Sequence, residues 1–360
     1  MSHEPPVEFR LSCPTPLSGH ATVQMAHGGG GRVMRALIEE LFLPAFNPAG
    51  GADDSTPRRP AHDSAVLQLG DQRLAFTTDT FVVSPLFFPG GDIGTLAVCG
   101  TVNDLAMSGA RPAWLSAAFI LEEGFPLETL ARVVASMQSV AGPLGVRIVT
   151  GDTKVVDRGK GDGVFINTAG IGVVPPGIDI SPARVVPGDV VLVSGDLGRH
   201  GIAIMSVREG LQFEGALESD CAPLWALVEA LLPLGAQLHC LRDLTRGGLA
   251  AALNEIAADA RVGITLEEDA IPVALAVAGA CEMLGLDPLY VANEGRLVAF
   301  VHPAAADRAL AAMRALPDGR GAAVVGRVGD AHPGAVELCA RFGGRRIVDL
   351  LSGEQMPRIC

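Results

Sequence analysis

Aromatic side chains are scarce. The chain has 13 Phe, 2 Trp and 1 Tyr, or 4% of its residues, so its core must be filled by Ala, Val, Leu and Ile. Hydrophobic residues reach 49%, and 360 residues suffice for two ordinary domains. No uncharged apolar run reaches the ~18 residues of a membrane-spanning helix, which excludes such a span. The first residues, Met1-Ser2-His3-Glu4-Pro5-Pro6, lack the basic-then-apolar pattern of an export signal. Positive charge is in deficit: the net charge of −13 excludes nucleic acid or an anionic membrane as the main partner. Seven cysteines, at 13, 99, 221, 240, 281, 339 and 360, are scattered with no zinc-finger spacing, mostly in apolar context, as expected for a cytoplasmic protein with reduced thiols. No Gly-x-x-x-x-Gly-Lys-Ser/Thr loop occurs. Lysine is nearly missing: only Lys154 and Lys160 stand among 27 basic side chains. Where arginine serves for ordinary positive charge, a retained lysine points to a need for an amine whose pKa can shift. Lys160, in Arg158-Gly159-Lys160-Gly161, reads as a solvated turn, whereas Lys154 has acidic and polar neighbours.

The pattern predicts α/β (α+β) architecture in two domains. Residues 1–26 read as an N-terminal extension, 27–180 and 181–345 as the domains, and 346–360 as a mobile tail. After His27-Gly28-Gly29-Gly30-Gly31 an amphipathic helix is expected over 32–43, then a loop rich in Pro, Gly, Asp and Arg over 47–62. Strands are expected at 65–69, 74–77, 113–120, 146–150, 164–173, 190–194 and 297–301, and helices at 127–142, 246–258 and 304–315. Asp92 caps a further helix that Gly109 stops. Pro175-Pro176-Gly177 and Pro187-Gly188-Asp189 bracket the domain junction.

Acidic residues recur where apolar runs end. Asp79 follows one strand, Asn103-Asp104 interrupts an apolar helix, Gly151-Asp152-Thr153-Lys154 follows another strand, and Asp243-Leu244-Thr245-Arg246-Gly247-Gly248 opens a helix. A carboxylate so placed suits a hard cation, and glycines at a helix N-terminus suit phosphate. Together they suggest a nucleotide with magnesium, although Asp and Gly also make ordinary turns and the run Gly28–Gly31 also makes a linker. Asp104 is the sharpest of these, because a carboxylate inside an apolar helix is costly to bury without a partner.

The chain ends Pro357-Arg358-Ile359-Cys360. The eight residues beyond Ser352 could reach about 27 Å when extended, the geometry of an arm carrying a group on sulfur. A terminal cysteine also occurs by chance. It is not a prenylation box, since Pro357 occupies the position that motif gives to cysteine.

These stretches resemble the HypE family: Thr77-Thr78-Asp79, Pro85 to Gly94, Asn103-Asp104, Gly151 to Val156, Asp243 to Gly248, Ala292-Asn293-Glu294-Gly295 and the terminal Pro-Arg-Ile-Cys. The likeness runs from about residue 27 to the end. It implies the two-domain fold of the aminoimidazole ribonucleotide and selenophosphate synthetases, dimerised through the N-terminal sheet. It implies carbamoyl dehydratase chemistry in NiFe-hydrogenase maturation. A partner, HypF, loads a carbamoyl group onto Cys360; ATP-dependent dehydration leaves a thiocyanate; cyanide passes to iron on a HypC–HypD complex. The implied roles are Cys360 as carrier and Lys154 or Glu294 as base. Gly28, Gly29, Gly30, Gly31, Asn103, Asp152, Thr153, Thr245, Gly247 and Gly248 are implied at ATP, and Asp63, Asp79, Asp104 and Asp243 at Mg²⁺. One departure stands out: relatives often carry Asp-Asp where this chain has His62-Asp63. Two rival readings are a synthetase of the same fold acting on a free small molecule and a passive carrier.

Overall fold

The computed structural model describes residues 21–46, 62–211, 217–353 and 356–360. Most of the expected extension and of the 47–62 loop lies outside them. A 3₁₀ turn, Met25–Gly28, leads into α1 (Arg32–Leu37), which runs through a π turn, Ile38–Phe42, into α2 (Leu43–Phe46).

The N-terminal domain is a five-stranded sheet backed by two helices. Along the chain come β1 (Ala65–Leu69), β2 (Gln72–Phe81), a short hairpin of β3 (Phe87–Phe88) and β4 (Gly91–Asp92), α3 (Ile93–Met107), β5 (Arg111–Glu122), α4 (Leu127–Ala141), β6 (Arg147–Val156) and β7 (Val164–Val174). The sheet order is β1-β2-β7-β5-β6, antiparallel except for the parallel β5–β6 edge pair. Asp92 caps α3 as its position predicts: its Oδ1 accepts from the N–H groups of Gly94 (2.7 Å) and Thr95 (3.0 Å). Gly109, at φ 71°, ends that turn. Helix α3 is apolar all round because it is buried all round, between the N-terminal sheet and the second domain.

The second domain is built on a seven-stranded sheet. After a 3₁₀ turn, Pro182–Arg184, come β8 (Val190–Val193), α5 (Arg199–Arg208), α6 (Trp225–Leu231), β9 (Leu238–Asp243), α7 (Gly248–Ala260), β10 (Gly263–Glu267), α8 (Leu275–Leu284), β11 (Leu297–Val301), α9 (Ala306–Arg314), β12 (Ala323–Gly329), β13 (Val336–Cys339) and β14 (Arg345–Val348). Their order is β14-β13-β10-β12-β8-β11-β9. Leu249, Leu253 and Ile256 of α7 fill one face of the sheet, while Leu227 and Leu231 of α6 with Ala309 and Met313 of α9 fill the other. The N-terminal core continues across the junction through Ile202 and Ile204 of α5 and Val277 and Ala280 of α8, and ends on Met356 and Ile359.

Three expectations need correction. Strand β2 extends past 74–77 and carries Asp79 inside it, paired with Thr168. Strand β6 continues past Thr150 through Gly151-Asp152-Thr153-Lys154 to Val156 because its parallel pairing with β5 holds from Ala117↔Gly151 to Glu122↔Val156. Glycine is needed there: a Cβ on Gly151 would stand 1.9 Å from the Ala117 carbonyl. Finally, Val336↔Val348 pairing with β13 draws residues 345–348 into the sheet, beyond the domain boundary expected at 345.

Candidate functional site

A carboxylate cluster forms where the domains meet. Asp63 sits just before β1, Asp104 in the last turn of α3, and Asp243 at the end of β9. One oxygen from each lies within 4.8 Å of the other two. Thr77 Oγ1 donates to Asp104 Oδ2 (2.7 Å), fixing that carboxylate's rotamer. Arg242 Nε stands 3.1 Å from Asp63 Oδ1, and its Nη1 donates to Glu255 (2.9 Å). Asp63 Oδ2 and Asp243 Oδ2 are buried and accept no hydrogen bond. Asp79 joins the group electrostatically from β2.

Burial pushes the Asp104 carboxyl well above its ordinary range, and the neighbouring Asp243, Asp63 and Asp79 push it further. Asp243 is raised strongly by burial and by Asp63, and Asp79 by burial. Hard oxygen donors, crowded, buried and partly unbonded, fit a hard divalent cation such as Mg²⁺. His62 is turned to a local role: its Nδ1 accepts the Asp63 N–H at 2.8 Å.

Beside the cluster lies a cavity of ≈ 180 Å³ lined by Gly30, Asp63, Asp243, Thr245, Arg246 and Gly248. The glycines of the first segment pack directly on the start of α7: Arg246 Nη1 donates to the Gly28 carbonyl (2.6 Å), and a Cβ on Gly30 (φ 73°) would stand 3.0 Å from the Arg246 carbonyl. Gly29 and Gly247 line a smaller adjoining cavity. Gly31 serves a different contact: a Cβ there would meet the Leu351 carbonyl at 2.4 Å, and the Arg32 N–H donates to that carbonyl (3.0 Å). Gly247 (φ 77°) and Gly248 (φ 59°) let the chain turn into α7 with its first N–H groups beside the cavity, an arrangement suited to phosphate.

Asn103 is a brace between the domains. Its Oδ1 accepts from Leu224 N–H (2.7 Å), and its Nδ2 donates to the Ala222 (3.1 Å) and Glu294 (3.4 Å) carbonyls. This holds Glu294 in place. Glu294 is 3% exposed and has one unbonded oxygen; burial, then Asp243, Asp79 and Asp220, raise it well above the ordinary carboxyl range.

The last five residues are docked in this site rather than swung out. Cys360 O accepts from Val82 N–H (3.0 Å) and Arg358 O from Ser84 N–H (3.3 Å), while Arg358 Nε donates back to Val82 O (3.0 Å). Ile359 is 2% exposed. Cys360 is half-buried, and desolvation raises the pKa of its thiol; Arg246 opposes the rise, and Glu294, Asp79 and Asp243 add to it. Those four are its ionisable neighbours.

Lys154, Asp152 and Thr153 are not brought here. They lie on β6, three strands from β2 and so roughly 14 Å or more from Asp79. Lys154 Nζ bonds Asp152 at 2.8 and 2.6 Å, with a side chain 70% exposed. Sequence reasoning missed Arg242, His200, Arg208 and Asp220. Arg242 carried a signal, as a charge that follows the mostly apolar Leu238–Leu241 and stands next to Asp243; the others act through backbone groups and left none.

Family models define the class. The AIR synthase related protein N-terminal domain matches residues 61–174 and the corresponding C-terminal domain residues 186–339. Within that class the agreement is much closer with one branch. Carbamoyl dehydratase HypE of Rhodobacter capsulatus is 56% identical over 338 residues, covering 94% of this chain and 98% of the relative. A solved HypE–HypF complex superimposes with a TM-score of 0.80 at 47% identity, over 88% of this chain and 100% of the other. HypE in complex with ATP gives a TM-score of 0.78 at 48% identity, over 94% and 100%. The chain belongs to the HypE family.

Proposed function

We propose that this protein is an ATP-dependent carbamoyl dehydratase that works on its own C-terminus. The carbamoyl oxygen of S-carbamoyl-Cys360 attacks the γ-phosphorus of ATP, releasing ADP. Loss of both amide protons and departure of phosphate then leave S–C≡N; the oxygen removed from carbon leaves in the phosphate. The observation that carries this reading is the docked tail, whose sulfur has Glu294, Asp79, Asp243 and Arg246 as its ionisable neighbours.

Phosphoryl transfer needs mostly positioning and charge stabilisation. The cavity between Gly30 and Gly248 receives the nucleotide, with phosphates at the start of α7. Asp63, Asp79, Asp104 and Asp243 would hold Mg²⁺, which supplies charge neutralisation of the phosphates. Glu294, buried, with an unbonded oxygen and felt electrostatically by the thiol, takes an amide proton. Asn103 keeps Glu294 at that station.

The chain would receive its carbamoyl group from HypF, as the relative solved with HypF suggests, and pass cyanide to iron on HypC–HypD. A cytoplasmic setting accords with that route; among the described residues no helix is long and apolar enough to cross a membrane. In this reading the chain is a homodimer. Among the described residues strand β6 is an unpaired edge, exposed along Arg147–Val155, and presents Val149 (54% exposed) and Val155 (66%) beside Ile120 (46%). A second copy on this edge would cover them. Lys154 then acts from the second copy.

The test is intact-peptide mass spectrometry. With HypF, carbamoyl phosphate and ATP-magnesium, the C-terminal peptide should gain one carbamoyl group and then lose one water. An adduct on Cys99, Cys240 or another thiol, or ATP turnover without the loss of water, would overturn the reading.

A further inference from the structure

Helix α5 and the segment 82–84 hold the docked tail by its backbone, and His200 is the centre of that contact. His200 is fully buried in the first turn of α5, edge-on to Phe88 with ring centroids 5.4 Å apart. Its Nε2 lies 2.8 Å from the carbonyl of Ile359, and its Nδ1 lies 2.8 Å from Ser219 Oγ. A carbonyl can only accept, so Nε2 carries the proton. Burial lowers the pKa of His200, so the ring is neutral and Nδ1 accepts the Ser219 hydroxyl proton. Ser219 Oγ in turn accepts the Cys221 N–H at 3.0 Å. Every bond in the chain Cys221 N–H, Ser219 O–H, His200 N–H, Ile359 C=O therefore points the same way.

At the other end of α5, Arg208 works on the same strand of tail. Its Nη1 donates to Pro357 O (2.5 Å), its Nη2 to Arg358 O, and its Nε to Ser84 O (2.6 Å). The guanidinium thus ties the tail to the segment the tail pairs with. Between the two sits Gly201, where a Cβ would come within 3.1 Å of Met356 Sδ. Three consecutive tail carbonyls, those of 357, 358 and 359, are all engaged from one helix.

We infer that His200 and Arg208 are positioning residues for the dehydration: they latch the backbone of residues 357–359 and so place the Cys360 sulfur against Glu294. The inference rests on the proposed reaction at Cys360. The latch reads carbonyls, which every residue has, on a tail that turns at Arg358 (φ 53°). Neither side chain touches the nucleotide cavity.

The test uses the full-length chain and two readouts. The first is release of Cys360 by a carboxypeptidase, followed by intact mass, which reports docking without any chemistry. The second is single-turnover conversion of carbamoylated protein to thiocyanate, with ATP binding measured alongside. Removing a hydrogen bond to the tail should raise the carboxypeptidase rate about fivefold to tenfold in His200→Leu and in Arg208→Met. Conversion should fall by a similar factor while ATP binding holds. His200→Gln keeps an N–H within reach of Ile359 and should recover most of both. Parental resistance and parental conversion in Arg208→Met and His200→Leu would overturn the inference, as would His200→Gln behaving like His200→Leu. If His200→Leu does not fold, Arg208→Met decides. If the parent itself fails to dehydrate, the carboxypeptidase readout still decides the latch and only the proposed reaction falls.

Discussion

Arg242 and Asp63 form a buried ion pair in the middle of the carboxylate cluster, Nε to Oδ1 3.1 Å, with side chains 11% and 9% exposed. The arginine compensates one cluster member, while burial raises the pKa of the neighbouring Asp104, Asp243 and Asp79. Arg242→Met leaves Asp63 buried and uncompensated and is expected to cost about 3–5 kcal/mol in chemical denaturation. Adding Asp63→Asn should restore most of that loss, and additive losses would mean that the pair is not coupled.

The carboxylates set a pH dependence of the opposite sign to an ordinary acid denaturation. Asp104, Asp243 and Glu294 have pKa values raised in the fold. Their contribution to stability is therefore complete below the unfolded carboxyl value of about 4 and is lost as pH rises through the folded values. Metal-free protein should melt lower at pH 8 than at pH 5 from this source, and millimolar Mg²⁺ should flatten the profile. A profile unchanged by Mg²⁺ would argue against the cluster as the cation site.

Asp79→Asn and Asp243→Asn should each weaken magnesium-dependent nucleotide binding, because each removes a carboxylate from the proposed hard-cation site or its edge. Calorimetry with ATP, with and without Mg²⁺, reads this directly. Binding equal to the parent in both variants would displace the metal from this cluster.

Much of this arrangement was legible from sequence and some was not, for identifiable reasons. The β11 span 297–301 and the Asp92 cap of α3 came out as expected, since period and capping chemistry are local. Asp104 was conspicuous because a carboxylate in an apolar helix needs partners, and it has them. Lys154 was conspicuous for rarity, yet rarity says nothing about place: its strand outran the expected turn and carried it to a sheet edge. The tail latch could not be read at all, because His200 and Arg208 bind carbonyls, and carbonyls have no signature in sequence.

Lys154 supplies the fourth prediction. If it acts from a second copy, mixing a Lys154→Ala chain with a Cys360→Ala chain should recover part of the activity that neither has alone. Arginine at 154 should not rescue, since it cannot give up its proton near neutral pH. Mixed dimers without recovered thiocyanate would confine the chemistry to one chain and leave Glu294 as its base.

The docked thiol has a consequence for order. With its pKa pushed up in the site, Cys360 is held there as S–H, a poor nucleophile. Seated, it is disfavoured as the attacking group in carbamoyl capture or disulfide exchange. In the proposed reaction, loading then falls outside the dock, where the sulfur returns to ordinary acidity, and dehydration inside it, where the sulfur no longer needs to attack anything. One short stretch of chain thereby separates two incompatible steps by location alone, and a tail that bound its dock too tightly would stop the cycle as surely as one that never bound.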